Sequence, residues 1–362
     1  MTVKGKTILH VITVSSEGGA QSVVVNLANA QCRENTVYVI SSADGGAWKA
    51  LDERVNIISI KQLRKKIGPW DFIVWLKLLF YGMRLRPDIV HLHSSKIGVL
   101  GRLAFSSKKI VYTVHGFDSI RVANRRFLFL EKKLQHFCRY IVGVSRYDEQ
   151  NLQAEGIRRN VVRINNAVSD VSLDTVSDAN SSRLAMIEGL RKRGYKKIIM
   201  TIAREEKPKR MDLFFEIARR LPLYAFVWTG NELDHEKPDN VFLMGMLPQA
   251  YQLLSGCDVY MLCSDFEGMP MSIIEALSLG RPVVASRVGG IQELLDGRNG
   301  ETVVNEAEAF IAAIEGFCTD EQRWKNASLA ARETYLAGFT VDKMTEGYDR
   351  IYASTLPSAV AP

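Results

Sequence analysis

No run of this sequence is long and apolar enough to cross a bilayer. The most apolar stretch, Phe72 to Tyr81, is interrupted by Lys77 and falls far short of the ~20 residues a spanning helix needs. Cysteine is sparse and unpatterned, with five residues at 32, 138, 257, 263 and 318 and no C-x-x-C pair. That excludes a disulfide-built scaffold and a zinc ribbon, and the expectation is reduced thiols in a cytosolic chain. The opening MTVKGKTILHVITV enters a strand-like run with no n-region, apolar core and cleavage site, so no leader is expected. No low-complexity block stands out.

Charge is present but uneven. Residues 61–139 hold seventeen Lys and Arg against Asp71, Asp88, Asp118 and Glu131, a net +13 where the whole chain is +7. The remainder is therefore mildly acidic. Such asymmetry calls for an anionic partner of the basic part: membrane lipid, lipid-linked phosphate or nucleic acid. A nucleic-acid binder would leave the second half of the chain unexplained. Within the basic part, the helix expected over 71–86 is apolar on more than one face. Trp75, Phe80 and Tyr81 either pack on a sheet or enter lipid headgroups.

The chain length suits two domains. Lys6 to Val14 reads as a strand, Gly18-Gly19 breaks it, and Ala20 to Cys32 has helical spacing. Further strands are expected at 36–41, 55–60, 87–93, 109–115 and 140–145, with a helix over Phe127 to Phe137. His115 stands where a strand gives way to a Gly loop, while His91 and His93 share one strand face. Without a nearby Cys, or a carboxylate at ligand spacing, these histidines make a poor zinc site. From Ser169 to Ser182 the sequence turns Ser/Asp-rich, and that shift marks the domain boundary. Lys196 to Ala203 then restarts the strand–loop–helix pattern, now with a basic loop. Its Arg204 offers a bidentate fork and Lys209 an ammonium, a suitable pair for a diphosphate. Two Rossmann-like halves in tandem result. From Ala307 one helix is expected to about Leu336, and another from Val341 to Tyr352.

The most informative stretch is 264–282, SDFEGMPMSIIEALSLGRP. Pro270 suits a first helical position, and Gly280 with Pro282 a stop. Met269 has no side-chain oxygen to cap the start, which leaves the amides of Met271, Ser272 and Ile273 free to hold an anion. Glu267 precedes the helix and Glu275 falls on its sixth residue, so two acceptor-only carboxylates flank a phosphate cradle. Such a cradle suits a ligand that is part phosphate and part hydroxyl-rich ring.

With its flanks, FEGMPMSIIEALSLGRPVVASRVGG resembles the Glu-x7-Glu block of retaining GT-B glycosyltransferases of family 4 (glycosyl transferases group 1), of the bacterial surface-polysaccharide type. The likeness runs over nearly the whole chain and weakens after about residue 340. It implies an α/β GT-B fold, with two Rossmann-like domains facing across a crevice and a C-terminal helix returning to the first. Residues 1–168, with about 341–356 crossing back, would bind the acceptor, and 169–340 the nucleotide-sugar.

The resemblance also implies the activity. A hexose or N-acetylhexosamine would pass from a nucleotide-sugar, UDP favoured over GDP, to a lipid-linked or glycan acceptor. The product would be capsule, O-antigen or exopolysaccharide. Glu267, His115, Arg204 and Lys209 would be catalytic. Gly18, Gly19, Gly245, Met246, Gly268, Met269, Pro270, Met271, Ser272 and Glu275 would bind the donor. Glu275 would meet ribose and Glu267 the hexose, with no metal and no cofactor. No nucleic acid is expected as partner; the basic segment would attach the enzyme to the inner face of the cell membrane. Ala203 and Arg210 depart from the glycines common in the family's basic loop. A GT-B-fold epimerase or hydrolase, or a non-catalytic sugar-nucleotide-binding membrane subunit, would fit the same cradle. The epimerase or hydrolase needs an acid/base pair that is not apparent.

Overall fold

The computed structural model describes residues 3–43, 45–230 and 236–356. The chain divides into two compact units, Met1–Ala167 with Val341–Pro362, and Val168–Thr340.

The first unit runs β1 (Thr7–Val11), α1 (Gly19–Gln31), β2 (Thr36–Ser41), β3 (Asn56–Ser59), α2 (Trp70–Leu85), β4 (Ile89–His93), α3 (Ser95–Ala104), β5 (Ile110–Val114), α4 (Asp118–Arg121), α5 (Leu128–Leu134), β6 (Tyr140–Gly143), α6 (Arg146–Ala154) and β7 (Val161–Arg163). Its strands form one parallel sheet in the order β3-β2-β1-β4-β5-β6-β7. Helices cover both faces, so β4 and β5 are buried at every position and read as unbroken apolar-rich runs. Val11, Leu92, Tyr112 and Phe117 join Val74 and Leu78 of α2 in its core. The helix expected over 127–137 is broken, with α5 flanked by single 3-10 turns at 125–127 and 135–137.

Helix α2 resolves the choice left open by its composition. Tyr81 packs against the core and Trp75 donates its indole N–H to Leu103 O at 3.2 Å. Of the three aromatic residues singled out, Phe80 alone is on the open face. It is joined there by Phe72, Leu76 and Met83, a stripe spaced 4, 4 and 3 residues. The basic segment is also less free than its composition implies. Arg102 is buried against Glu131, Arg121 pairs with Asp118, and Arg125 and Lys132 share Glu155. Lys61, Arg64, Lys66, Arg84 and Arg86, close to α2 in sequence, stay exposed.

The second unit runs α7 (Asp178–Lys192), β8 (Lys197–Ile202), α8 (Met211–Arg220), β9 (Tyr224–Thr229), β10 (Val241–Leu243), β11 (Val259–Leu262), α9 (Met271–Ser278), β12 (Val283–Ser286), α10 (Ile291–Leu294), β13 (Gly300–Val303), α11 (Ala307–Thr319) and α12 (Glu321–Gly338). Its parallel sheet has the order β10-β9-β8-β11-β12-β13, so the direction of winding reverses between β8 and β11. The single helix expected after Ala307 is two helices. Asp320 separates them, its side chain accepting from Arg323 N at 2.9 Å as the cap of α12. Helix α13 (Val341–Thr355) belongs to the first unit, where Tyr348 bonds Thr113 and Tyr352 bonds His91.

Candidate active site

Ligands of doubly wound sheets bind beyond the strand ends where the winding reverses. In the second unit that point is flanked by the segments following β8 and β11. The two are sewn together by a bridge between Lys209 and Ser264, with Arg210 N bonded to Cys263 O (3.1 Å) and Asp265 N to Pro208 O (3.0 Å). This brings Lys209 Nζ onto the carboxylate of Glu267, both side chains being largely buried. Ser264 Oγ donates to the same Glu267 oxygen at 2.7 Å.

A second layer fixes Ser264. Its N–H donates to Ser286 Oγ (2.8 Å), Ser286 donates to Asn305 Oδ1 (2.5 Å), and Asn305 Nδ2 returns to Ser264 O (2.9 Å). Gly289 closes the loop from the other side. It has φ +52°, and a Cβ there would fall 1.8 Å from Glu267 O. Gly290 N bonds Gly268 O at 2.9 Å.

Helix α9 starts one residue later than the sequence implies. Pro270, in extended conformation, is its N-cap, so Glu275 is the fifth helical residue rather than the sixth. The reason is backbone: Pro270 has ψ 124°, outside the helical range. The start is uncapped as expected, and no acceptor among the described residues takes the amides of Met271, Ser272 or Ile273. Met269 and Met271 bury their side chains. Tyr260 OH donates to Ser272 Oγ at 2.7 Å and orients it. The Glu275 carboxyl is half-buried, and burial raises its pKa to about 7.

The remaining site residues of this unit make no side-chain hydrogen bond to the cluster among the described residues. Arg204 is exposed at the end of β8, 3.7 Å from Glu206. Arg210, the departure from the family pattern, forks onto Asp212 and reaches Asp265 at 3.4 Å, so it braces the loop. Gly245, with φ +74°, accepts from Gly230 N (2.9 Å) beside the edge strand β10, and Met246 is exposed. In the first unit Gly18 is the uncapped start of α1, followed by Gly19. Thr13 and Ser94 hydroxyls bond at 2.6 Å across the reversal between β1 and β4. His115 follows β5. Its Nε2 is 3.0 Å from His93 Nδ1, its Nδ1 is covered and unpaired, and burial pushes its pKa down to about 4.

Among the described residues, one group has a metal-ligand arrangement: His10, His91 and His93, with ligand atoms within 4.8 Å of one another. Every nitrogen of those rings already has a hydrogen-bond partner. The group also contains no carboxylate or thiol to offset a buried dication. Sequence reasoning missed Ser286, Asn305 and His10, since isolated polar residues in apolar strands carry no spacing signal.

Two parallel sheets, each with one reversal of winding, are the architecture of the GT-B class of glycosyltransferase. Residues 17–171 match the family described as Glycosyltransferase Family 4, and residues 196–320 the one described as Glycosyl transferases group 1. The two matches together span most of the chain, which belongs to the family 4 (group 1) glycosyltransferases. It is 25% identical to the O-antigen biosynthesis glycosyltransferase WbnH of Escherichia coli, covering 96% of this chain and 99% of that one. It is 26% identical to an E. coli UDP-Gal:alpha-D-GlcNAc-diphosphoundecaprenol alpha-1,3-galactosyltransferase, covering 87% and 88%. In fold it is similar to Anabaena Alr3699/HepE, crystallised with UDP and glucose. The TM-score is 0.82 at 18% identity, covering 96% of this chain and 100% of that one.

Proposed function

We propose that the chain transfers a hexose or N-acetylhexosamine, with retention and without a metal, from a UDP-sugar to a lipid-linked acceptor in bacterial surface-polysaccharide synthesis. The observation that carries this is the Lys209–Glu267 pair beside the open amides of α9. The amides and Lys209 neutralise the diphosphate as the bond to the anomeric carbon breaks, and Arg204 folds in to add a fork. Glu267 takes hexose hydroxyls, Glu275 the ribose, and Gly245-Met246 the base. Gly18, Gly19 and His115 complete the sugar contacts. No side chain is assigned as general base. The acceptor oxygen bonds the anomeric carbon on the face the diphosphate leaves, and the leaving phosphate takes its proton. The undecaprenol-linked substrate in the name of one relative, and the UDP bound by the fold neighbour, support the choice of acceptor and base.

The first unit, on this reading, binds the acceptor at the membrane. The exposed stripe of α2 beside Lys61, Arg64, Lys66, Arg84 and Arg86 supports peripheral attachment to an anionic leaflet. A thermal-shift screen of UDP-, GDP- and ADP-sugars tests the donor. A ligand at 100-fold its Kd adds about 2.7 kcal/mol, so a UDP-sugar should raise the melting temperature and the others should not. A shift with GDP-sugars alone would reassign the base, and no shift with any would remove the proposal.

A further inference from the structure

Four histidines meet in the first unit. His10 lies on β1, His91 and His93 on β4, and His115 just past β5, with His10 opposite His91 in register. Seven of their eight ring nitrogens have hydrogen-bond partners. The eighth is Nδ1 of His115, the one ring that sequence reasoning assigns to a ligand.

Three of the rings form a chain that starts at the end of α1. Gln31 Oε1 lies 2.8 Å from His10 Nε2, His10 Nδ1 lies 3.1 Å from His93 Nε2, and His93 Nδ1 lies 3.0 Å from His115 Nε2. His91 is outside this chain, its two nitrogens held by Thr113 and Tyr352. Burial keeps all four rings neutral at pH 7, with His10 and His115 pushed down to about 4 and the other two well below the usual value.

A neutral imidazole has one N–H and one lone pair, so proton placement at one end of such a chain decides it at the other. The Gln31 oxygen can only accept. His10 therefore carries its proton on Nε2 and accepts at Nδ1 from His93 Nε2–H. His93 then accepts at Nδ1 from His115 Nε2–H. What remains unpaired is a lone pair on Nδ1 at the His115 end and the amide Nε2 at the Gln31 end. We propose that Gln31, His10 and His93 are positioning residues that fix the Nε2–H tautomer of His115, so that its Nδ1 accepts from a sugar hydroxyl. The proposal rests on the reading of His115 as a sugar contact, and it goes beyond that reading by assigning the polarity of the contact and the residues that set it.

The test is a long-range 1H–15N correlation spectrum of protein labelled with 15N-histidine, with His115 assigned by its loss in His115→Asn. The expected spectrum shows His115 in one tautomer, protonated on Nε2. A ring protonated on Nδ1, or one averaging both forms, would overturn the proposal with no variant needed. In Gln31→Leu the His115 signals should average, and kcat should fall by about 10-fold, the scale of losing an outer hydrogen-bond partner of a functional histidine. The KM for the nucleotide-sugar should be unchanged. An unaltered His115 tautomer in Gln31→Leu would remove Gln31 from the role. The spectrum requires neither donor nor acceptor, so the tautomer assignment can fail while transfer stands, and the reverse.

Discussion

Lys209 and Glu267, fifty-eight residues apart in sequence, are ion-paired at the reversal of the second sheet, and Ser264 donates to the same carboxylate oxygen. On the proposed reading, a diphosphate drawing on the ammonium and a sugar hydroxyl drawing on the carboxylate would divide this pair. Each group would then be held ready by the other and released to a different part of one ligand.

Lys209→Ala and Arg204→Ala should each cut turnover at least ~100-fold, the usual effect of losing a transition-state charge donor. Far-UV circular dichroism should show both variants folded. Arg204 is exposed and Lys209 is not, so Lys209→Ala should lower the melting temperature more. Full activity in both variants would leave the cradle without its charge role.

Gly289→Ala should disable the donor site without touching a charged group. The new methyl would meet Glu267 O, and φ +52° disfavours any side chain there. Overpacking of this kind costs about 1–3 kcal/mol, and the 267–268 backbone must move to relieve it. Loss of UDP-induced thermal stabilisation in Gly289→Ala is expected; a wild-type response would show the contact to be slack.

Glu275 gives a pH dependence of definite sign. Its folded pKa, about 7, lies above its unfolded value of 4.5, so the folded chain holds the extra proton between those limits. Its ionisation therefore erodes stability as pH rises from 4.5 to 7, and Glu275→Gln should be the more stable protein at pH 8. The gain is on the order of 2–3 kcal/mol, or several degrees, and should vanish at pH 4. Ribose hydroxyls favour the ionised form, so UDP binding near pH 7 should release protons, read as buffer-dependent heat in calorimetry. Equal melting of the two proteins at pH 4 and pH 8 would refute the raised pKa.

Much of the fold is legible in the sequence alone. The apolar β-branched runs of β1, β2, β4, β5 and β8 announce a buried parallel sheet, because such strands have no polar face to alternate. The uncapped start of α9 was readable from Met269 and Pro270, though its first residue was not. What escaped depends on juxtaposition. Strand β13, GETV, is too short and polar to declare itself. His10 looks like any histidine in a strand until register sets it opposite His91. Ser286 and Asn305 matter only because two loops converge on Ser264. Composition also overstated the free charge of 121–133, since pairing with Asp118 and Glu155 is invisible to a count.

The proposed membrane attachment can be tested at the α2 face. Each Lys or Arg near an anionic surface contributes about 1 kcal/mol, so on this proposal the exposed cations should give attachment that ~0.5 M salt reverses. Co-sedimentation with vesicles should require anionic lipid, and Phe72→Ser with Phe80→Ser should weaken it while UDP binding stays intact. Equal partitioning to neutral and anionic vesicles, or none to either, would leave the stripe without this role.

The central claim is retaining, metal-free transfer at the Lys209–Glu267–Glu275 site, and the anomeric configuration of the product tests it most directly. Purified protein is incubated with a UDP-α-sugar and a polyprenyl-diphosphate-linked sugar in excess EDTA, and the new linkage is read by 1H NMR. An α linkage formed at full rate in EDTA is the result expected. A β linkage, or activity abolished by EDTA and restored by Mn²⁺, would contradict it.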